Sequence, residues 1–227
     1  MINYHPSDAI LTRFVEADLS ISLSIIVSSH VEMCTACQQK VAKLTQEAAL
    51  IHFHLAEHDN QEADTVNVTM SAYDDIALIN KITDSPQEVK LSLPKTITEI
   101  EIEGQRLPLP TALKSIELNE WQGIGKISRS RLNVDDDERR MSLLSIAKAG
   151  SVPRHTHKGF EITLLLQGSF EDEMGTYQAG DFIWLNDEHT HQPVSTSGCV
   201  CLTVSSDALK FTQGVSQILN PLGKLIY

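Results

Sequence analysis

The segment Gly150-Ser-Val-Pro-Arg-His155-Thr-His157-Lys-Gly-Phe-Glu161, followed by Gly168, constrains this chain more than any other stretch. In an extended strand, residues two apart project to the same side. His155 and His157 therefore share a face, Glu161 has the same parity, and Gly159 permits a bend between them. A fourth group would have to come from a neighbouring strand. His191, followed by Gln192 and Pro193, is the preferred candidate, and His189, of the same parity, is its alternative. Three imidazoles and one carboxylate suit zinc, iron(II), manganese or nickel, and the residue types do not separate these. Such a set leaves room for a water or small ligand, so it could serve a sensor or a catalyst.

The surrounding texture is that of short strands. From residue 113 onward, strand-like runs at 126–132, 141–147, 161–167, 181–185 and 200–204 alternate with Gly150, Gly168, Gly175 and Gly180. Many short strands at close spacing predict an all-β sandwich or barrel. Cys199 and Cys201, two apart on one strand face, are expected to pack inside it, where their oxidation could report redox stress. The runs at 135–140 and 171–173 are expected to be solvated turns.

Residues 1–85 have a different period. Ile10, Leu11, Phe14 and Val15 fall on one helical face, with Ser7 placed to cap the start. A second helix can start after Ser20 with Leu23, Ile26 and Val27 on its apolar side, although the alternation at 20–25 also fits a short strand. A third helix is expected over 35–58 and a short fourth over 72–82. Residues 83–112 carry Pro86, Pro94, Pro108 and Pro110 together with the strand-like Ile97, Ile100 and Ile102. The expected fold is thus α+β in two domains: a small all-α segment over 1–85, a linker and first strand over 86–112, and an all-β domain over 113–227.

The helical part carries a second constellation. His30-Val-Glu-Met-Cys34-Thr-Ala-Cys37 sets a histidine and two cysteines at offsets of four and three. On a continuous helix they share one face; if the chain turns near residue 33, both thiols enter the first turn of the next helix, where the macrodipole favours thiolate. Either way three ligands face one ion, and tetrahedral structural zinc needs four. His5, restrained by Pro6, is the best remaining candidate. Two thiolates and two neutral imidazoles make a zinc(II) site formally neutral, and its ligation could supply much of the folding free energy of a small head. His52, His54 and His58 lack a completing cysteine or carboxylate and are expected as partly exposed helix residues.

Composition narrows the functional classes. The 30 acidic against 18 basic residues, a formal charge of −12, leave no clustered cation surface apart from Arg139-Arg140, which disfavours direct nucleic-acid binding. An acidic protein can instead occupy a partner's basic surface. No apolar run is long enough for a membrane span, and the first residues, Met-Ile-Asn-Tyr-His-Pro, do not resemble an export signal, so a reducing, cytoplasmic setting is expected.

His-x3-Cys-x2-Cys between two helices, with His5 upstream, resembles the zinc-binding anti-sigma domain. The Gly150–Gly168 pattern resembles the first cupin motif, with a gap of four rather than five residues after Gly150. Gly180-Asp-Phe-Ile-Trp-Leu with His189-Thr-His191 resembles the second, without its usual Pro-x-Gly. In that order the two are similar to the ChrR-type anti-sigma factors. The resemblance implies a double-stranded β-helix (jelly-roll) cupin and one zinc held by His5, His30, Cys34 and Cys37. It implies a second ion on His155, His157, Glu161 and His191. It further implies a non-enzymatic protein that holds an extracytoplasmic-function sigma factor inactive and responds to singlet oxygen or organic peroxides. Oligomeric state is open, with a homodimer through the cupin suggested by the family. The alternative is a metal-dependent, dioxygenase-like cupin enzyme with a structural zinc head.

Overall fold

A computed structural model describes residues 1–62, 72–84, 96–136 and 139–212. Four helices stand at the start: α1 (Asp8–Val15), α2 (Ile21–Met33), α3 (Thr35–Glu62) and α4 (Ala72–Thr83). Ser7 caps α1 by accepting the Ile10 N–H at 3.4 Å, and Asp8 places a negative charge in the first turn, where the helix dipole favours it.

The ambiguity at residues 20–25 resolves as helix. Ser20 holds the N-cap position, but its side chain does not cap. Asp136, far away in sequence, does so instead: its Oδ2 accepts the Ser22 N–H at 3.1 Å and the hydroxyls of Ser20 and Ser22. With these hydroxyls satisfied, α2 can bury Ser22 beside Leu23, Ile26 and Val27. Asp136 is only 8% exposed, so the expectation of a solvated turn over 135–140 fails at this residue. Pro86 and Pro94 lie outside the described residues, as do the side chains of His54 and His58. His52 is exposed on α3.

After the hairpin of β1 (Glu99–Ile102) and β2 (Gln105–Pro108) come β3 (Gln122–Ile124), β4 (Ile127–Arg131), β5 (Arg140–Ile146), β6 (Gly150–Ser151) and β7 (His155–His157). They are followed by β8 (Glu161–Asp172), β9 (Gly175–Gln178), β10 (Phe182–Leu185), β11 (Thr190–His191), β12 (Val194–Ser195), β13 (Cys199–Ser205) and β14 (Leu209–Phe211). All pairings are antiparallel among the described residues. Strand β13 lies between β5 and β8, while β9, β10 and β12 also pair with β8, so the long β8 serves successive partners and the sheet curls. A separate sheet runs β11–β7–β14. The architecture is therefore a helical segment followed by a curled antiparallel β domain.

The strand period sorts the core. Ile162, Leu164 and Leu166 of β8 and Leu202 and Val204 of β13 pack with Leu11, Ile26 and Val27 of the helices. The opposite face puts Leu165, Cys199 and Cys201 with Phe170, Tyr177 and Ile183. Both cysteines are buried there, as their spacing predicts. Two compact units result: residues 1–45 with 96–227, and residues 46–95.

Candidate metal centres

The first centre forms where α2 ends and α3 begins. Cys34 takes an extended conformation (φ −119°, ψ 104°) between the two helices, so the chain turns there rather than continuing as one helix. His30 sits in the last turn of α2 and Cys37 in the first turn of α3. His30 is fully buried, and its Nδ1 lies 2.8 Å from the carbonyl oxygen of Gly180. A carbonyl can only accept, so Nδ1 carries the proton and the lone pair of Nε2 faces Cys37 Sγ at 3.3 Å. Nδ1 of His5 lies 3.4 Å from Cys34 Sγ and 3.5 Å from Cys37 Sγ.

These four donors fit one ion. Bonds of about 2.3 Å to sulfur and 2.0 Å to nitrogen give sulfur–nitrogen edges of roughly 3.5 Å in a tetrahedron. All four donor atoms lie within 4.8 Å of one another. Burial lowers the His30 pKa to about 4, with the nearby His5 adding to the effect against the Gly180 bond, which keeps the ring neutral and metal-competent. Burial also pushes the Cys37 thiol up, reinforced by Cys34 beside it. Without a cation this pocket disfavours thiolate; a bound cation reverses that preference.

The second centre lies in the three-stranded sheet. His155 on β7 pairs directly with His191 on β11, and His157 follows two residues along β7. All three are buried. His155 Nδ1 donates to the Pro153 carbonyl at 2.8 Å, and His191 Nδ1 donates to Asp172 Oδ2 at 2.9 Å. Both Nε2 lone pairs therefore point inward, 3.1 Å apart, and His157 Nε2 stands 3.4 Å from that of His191. Lone pairs so opposed repel unless a cation lies between them, and nitrogen–nitrogen edges of roughly 3.3 Å suit a tetrahedral ion. Burial, followed by the neighbouring His191, holds His155 at about 4 and His157 at about 3. The buried Nδ1 of His157 has no hydrogen-bond partner.

Glu161 stands at the edge of this group. Its Oε2 is 3.7 Å from His157 Nδ1, and its Oε1 accepts the Thr163 hydroxyl at 3.2 Å. The three histidines form the compact cluster. His189 is turned away, its Nδ1 2.5 Å from Asn186 Oδ1, and His191 faces the other rings.

Residue-type spacing missed the acids that orient these rings. The run 171–173 was expected to be a solvated turn, yet the side chain of Asp172 is 1% exposed. Burial alone would raise its carboxyl; the His191 bond and the Met174 and Gly175 N–H groups outweigh that and hold it low. Asp181, fully buried, accepts the backbone N–H groups of Asn3, Tyr4 and Gln178 at 2.7, 3.1 and 2.8 Å.

Residues 112–208 match the family model of the ChrR cupin-like domain. The β domain is cupin-like. Beyond this cupin-like domain, the chain is 26% identical over 227 residues to the anti-sigma-E factor ChrR of Cereibacter sphaeroides, covering 99% of both chains. A crystal structure of Rhodobacter sphaeroides SigE in complex with the anti-sigma ChrR shares 26% identity and a TM-score of 0.61, covering 90% of this chain and 100% of that one. Both likenesses extend beyond the cupin-like domain into the helices that carry the first centre. No described helix is long and apolar enough to cross a membrane.

Proposed function

We propose that this chain is a cytoplasmic anti-sigma factor: its helical segment, residues 1–85, holds an extracytoplasmic-function sigma factor inactive, and its cupin-like domain tunes that hold. The observation that carries the reading is the 26% identity across 99% of the chain to a protein named anti-sigma-E factor ChrR. Surface chemistry supports it. Leu50, Ile51 and Phe53 of α3 and Ile76, Leu78, Ile79 and Ile82 of α4 are each more than half exposed, more apolar surface than a helix keeps in water without a partner. A helical groove on another protein would cover such residues.

The first centre is assigned to zinc, held by His5, His30, Cys34 and Cys37. A bound zinc would neutralise two thiolates and tie the N-terminal residues to the α2–α3 corner. The second is assigned to His155, His157 and His191, with Glu161 as the fourth ligand; zinc, iron, manganese and nickel all suit its donors. In this reading the cupin-like domain is the stress sensor, for singlet oxygen or an organic peroxide, and not an enzyme.

The test is co-expression with an extracytoplasmic-function sigma factor from the same genome. A stable one-to-one complex that prevents the sigma factor from joining core RNA polymerase is expected, and failure of every such sigma factor to co-purify overturns the reading. A dioxygenase-like cupin is the second reading, favoured by the three-imidazole cluster; turnover of a candidate substrate by the metal-loaded protein would establish it.

A further inference from the structure

The outer contacts of both centres converge on one short stretch, residues 172–182, comprising β9 and the turns on either side of it. At one end Asp172 Oδ2 holds His191 of the second centre at 2.9 Å, while its Oδ1 caps the turn by accepting Met174 and Gly175 N–H. At the other end the Gly180 carbonyl holds His30 of the first centre, and Asp181 binds the backbone of Asn3 and Tyr4, the residues immediately before His5. Phe182 N–H donates to the Tyr4 carbonyl at 3.0 Å, so residues 3–4 are clamped from both sides. Between the ends stands Tyr177. It is 3% exposed, its hydroxyl faces the Asp172 carboxylate, and its ring lies against Tyr4 with centroids 4.8 Å apart.

We propose that this hairpin couples the two centres, with Asp172, Tyr177 and Asp181 as positioning residues rather than ligands. The path is contiguous: His191 to Asp172, Asp172 to Tyr177, Tyr177 to Tyr4, and Tyr4 to His5. A change at the second centre that releases the His191–Asp172 bond lets the carboxylate beside the Tyr177 hydroxyl move. Tyr177 then no longer braces Tyr4, and His5, the one exposed member of the first centre, is the ligand set loose. Packed side chains and buried hydrogen bonds can carry such coupling because they switch between discrete arrangements instead of deforming gradually. This inference rests on the reading that both centres bind metal.

Full-length protein loaded with cobalt(II) provides the test. Only the first centre has thiolates, so its sulfur-to-metal charge-transfer absorption reports that centre alone, and its decay under excess chelator gives the rate of metal loss. His155→Ala cripples the second centre. With Tyr177 in place this should speed decay at least about fivefold, the lower end of ordinary coupling between sites. In a Tyr177→Phe background, which keeps the ring but removes the hydroxyl, the acceleration from His155→Ala should fall below about twofold. Asp181→Asn should speed decay about tenfold whether or not the second centre is intact, as loss of an outer-contact partner does. Equal acceleration in both Tyr177 backgrounds, or none in either, overturns the coupling. Absence of the absorption band after cobalt loading overturns instead the metal reading on which it rests. Far-ultraviolet dichroism of each variant separates loosened coupling from unfolding, and Asp172→Asn supplies a second break in the path if Tyr177→Phe does not fold.

Discussion

Replacing Asp136 with alanine asks how α2 is fixed against the cupin-like domain. Asp136 Oδ2 accepts the Ser22 N–H at 3.1 Å and the Ser20 hydroxyl at 3.0 Å, as well as the Ser22 hydroxyl, while Oδ1 faces Arg139 at 3.4 Å. Ser22 is 1% exposed, so truncation strands a buried N–H and a buried hydroxyl. Each stranded group costs about 1–3 kcal/mol; half-buried Ser20 can turn to water, and the Arg139 pair is partly screened. A total of about 3 kcal/mol corresponds to roughly 100-fold faster local opening. Hydrogen exchange read by mass spectrometry on a peptide spanning residues 19–33 measures it directly. Asp136→Asn keeps an acceptor and should cost about 1 kcal/mol. The pH dependence has a definite sign. Burial alone would raise the Asp136 carboxyl, but the bonds from Ser22 and Ser20 and the Arg139 guanidinium hold it below its ordinary value of 3.8. Its contribution is therefore complete above that value and disappears as pH falls through the lower folded value, so the gap between wild type and Asp136→Ala should be constant over about pH 5 to 8. Acceleration under about fivefold at neutral pH would refute the trans-capping argument.

Cys34→Ser should remove one metal equivalent and weaken sigma-factor binding roughly 100-fold together; tight binding by the metal-depleted variant would refute the structural role of the first centre. His157→Ala should blunt release of the sigma factor by singlet oxygen or peroxide in a reporter strain, and an undiminished response removes the sensor role. Ile79→Asp combined with Ile82→Asp changes residues 57% and 66% exposed, so stability should shift by no more than about 0.5 kcal/mol while sigma affinity falls at least tenfold. Leu202→Ala empties a fully buried position in the core shared by β13, β8 and α2 and should cost about 2–5 kcal/mol in denaturant unfolding.

The parts legible in sequence were those in which spacing alone dictates geometry. His155 and His157 share a face because strands alternate, and His30, Cys34 and Cys37 lie close enough in sequence to meet at the corner between two helices. Where the chain bends at Cys34 was open, since both a continuous helix and a break bring the same groups together. The helix over 20–33 was open for a related reason: Ser20, Ser22 and Ser24 weaken helix propensity locally, and the acceptor for Ser20 and Ser22 is supplied by the distant Asp136, while Ser24 donates to the Leu19 carbonyl.

Asp136, Asp172 and Asp181 mark the limit of that legibility. Each lies in or beside a turn, where an acid ordinarily faces water, yet each side chain is buried with one oxygen held by a group distant in sequence: 114 residues away for Ser22 to Asp136, 19 for Asp172 to His191, 178 for Asn3 to Asp181. A carboxylate can be buried this way only if the donors arrive together, so its position depends on the completed tertiary fold, not on the local period. The consequence is functional. The candidate ligand histidines could be read from spacing because their geometry is local, but the bond from Asp172 to His191 and those that join Asp136 and Asp181 to residues 3–22 form only in the completed fold. A substitution at Asp172 should therefore disturb the second centre and one at Asp136 or Asp181 the seating of the N-terminal residues, whereas an equally large change at an exposed acid such as Glu101 should disturb neither.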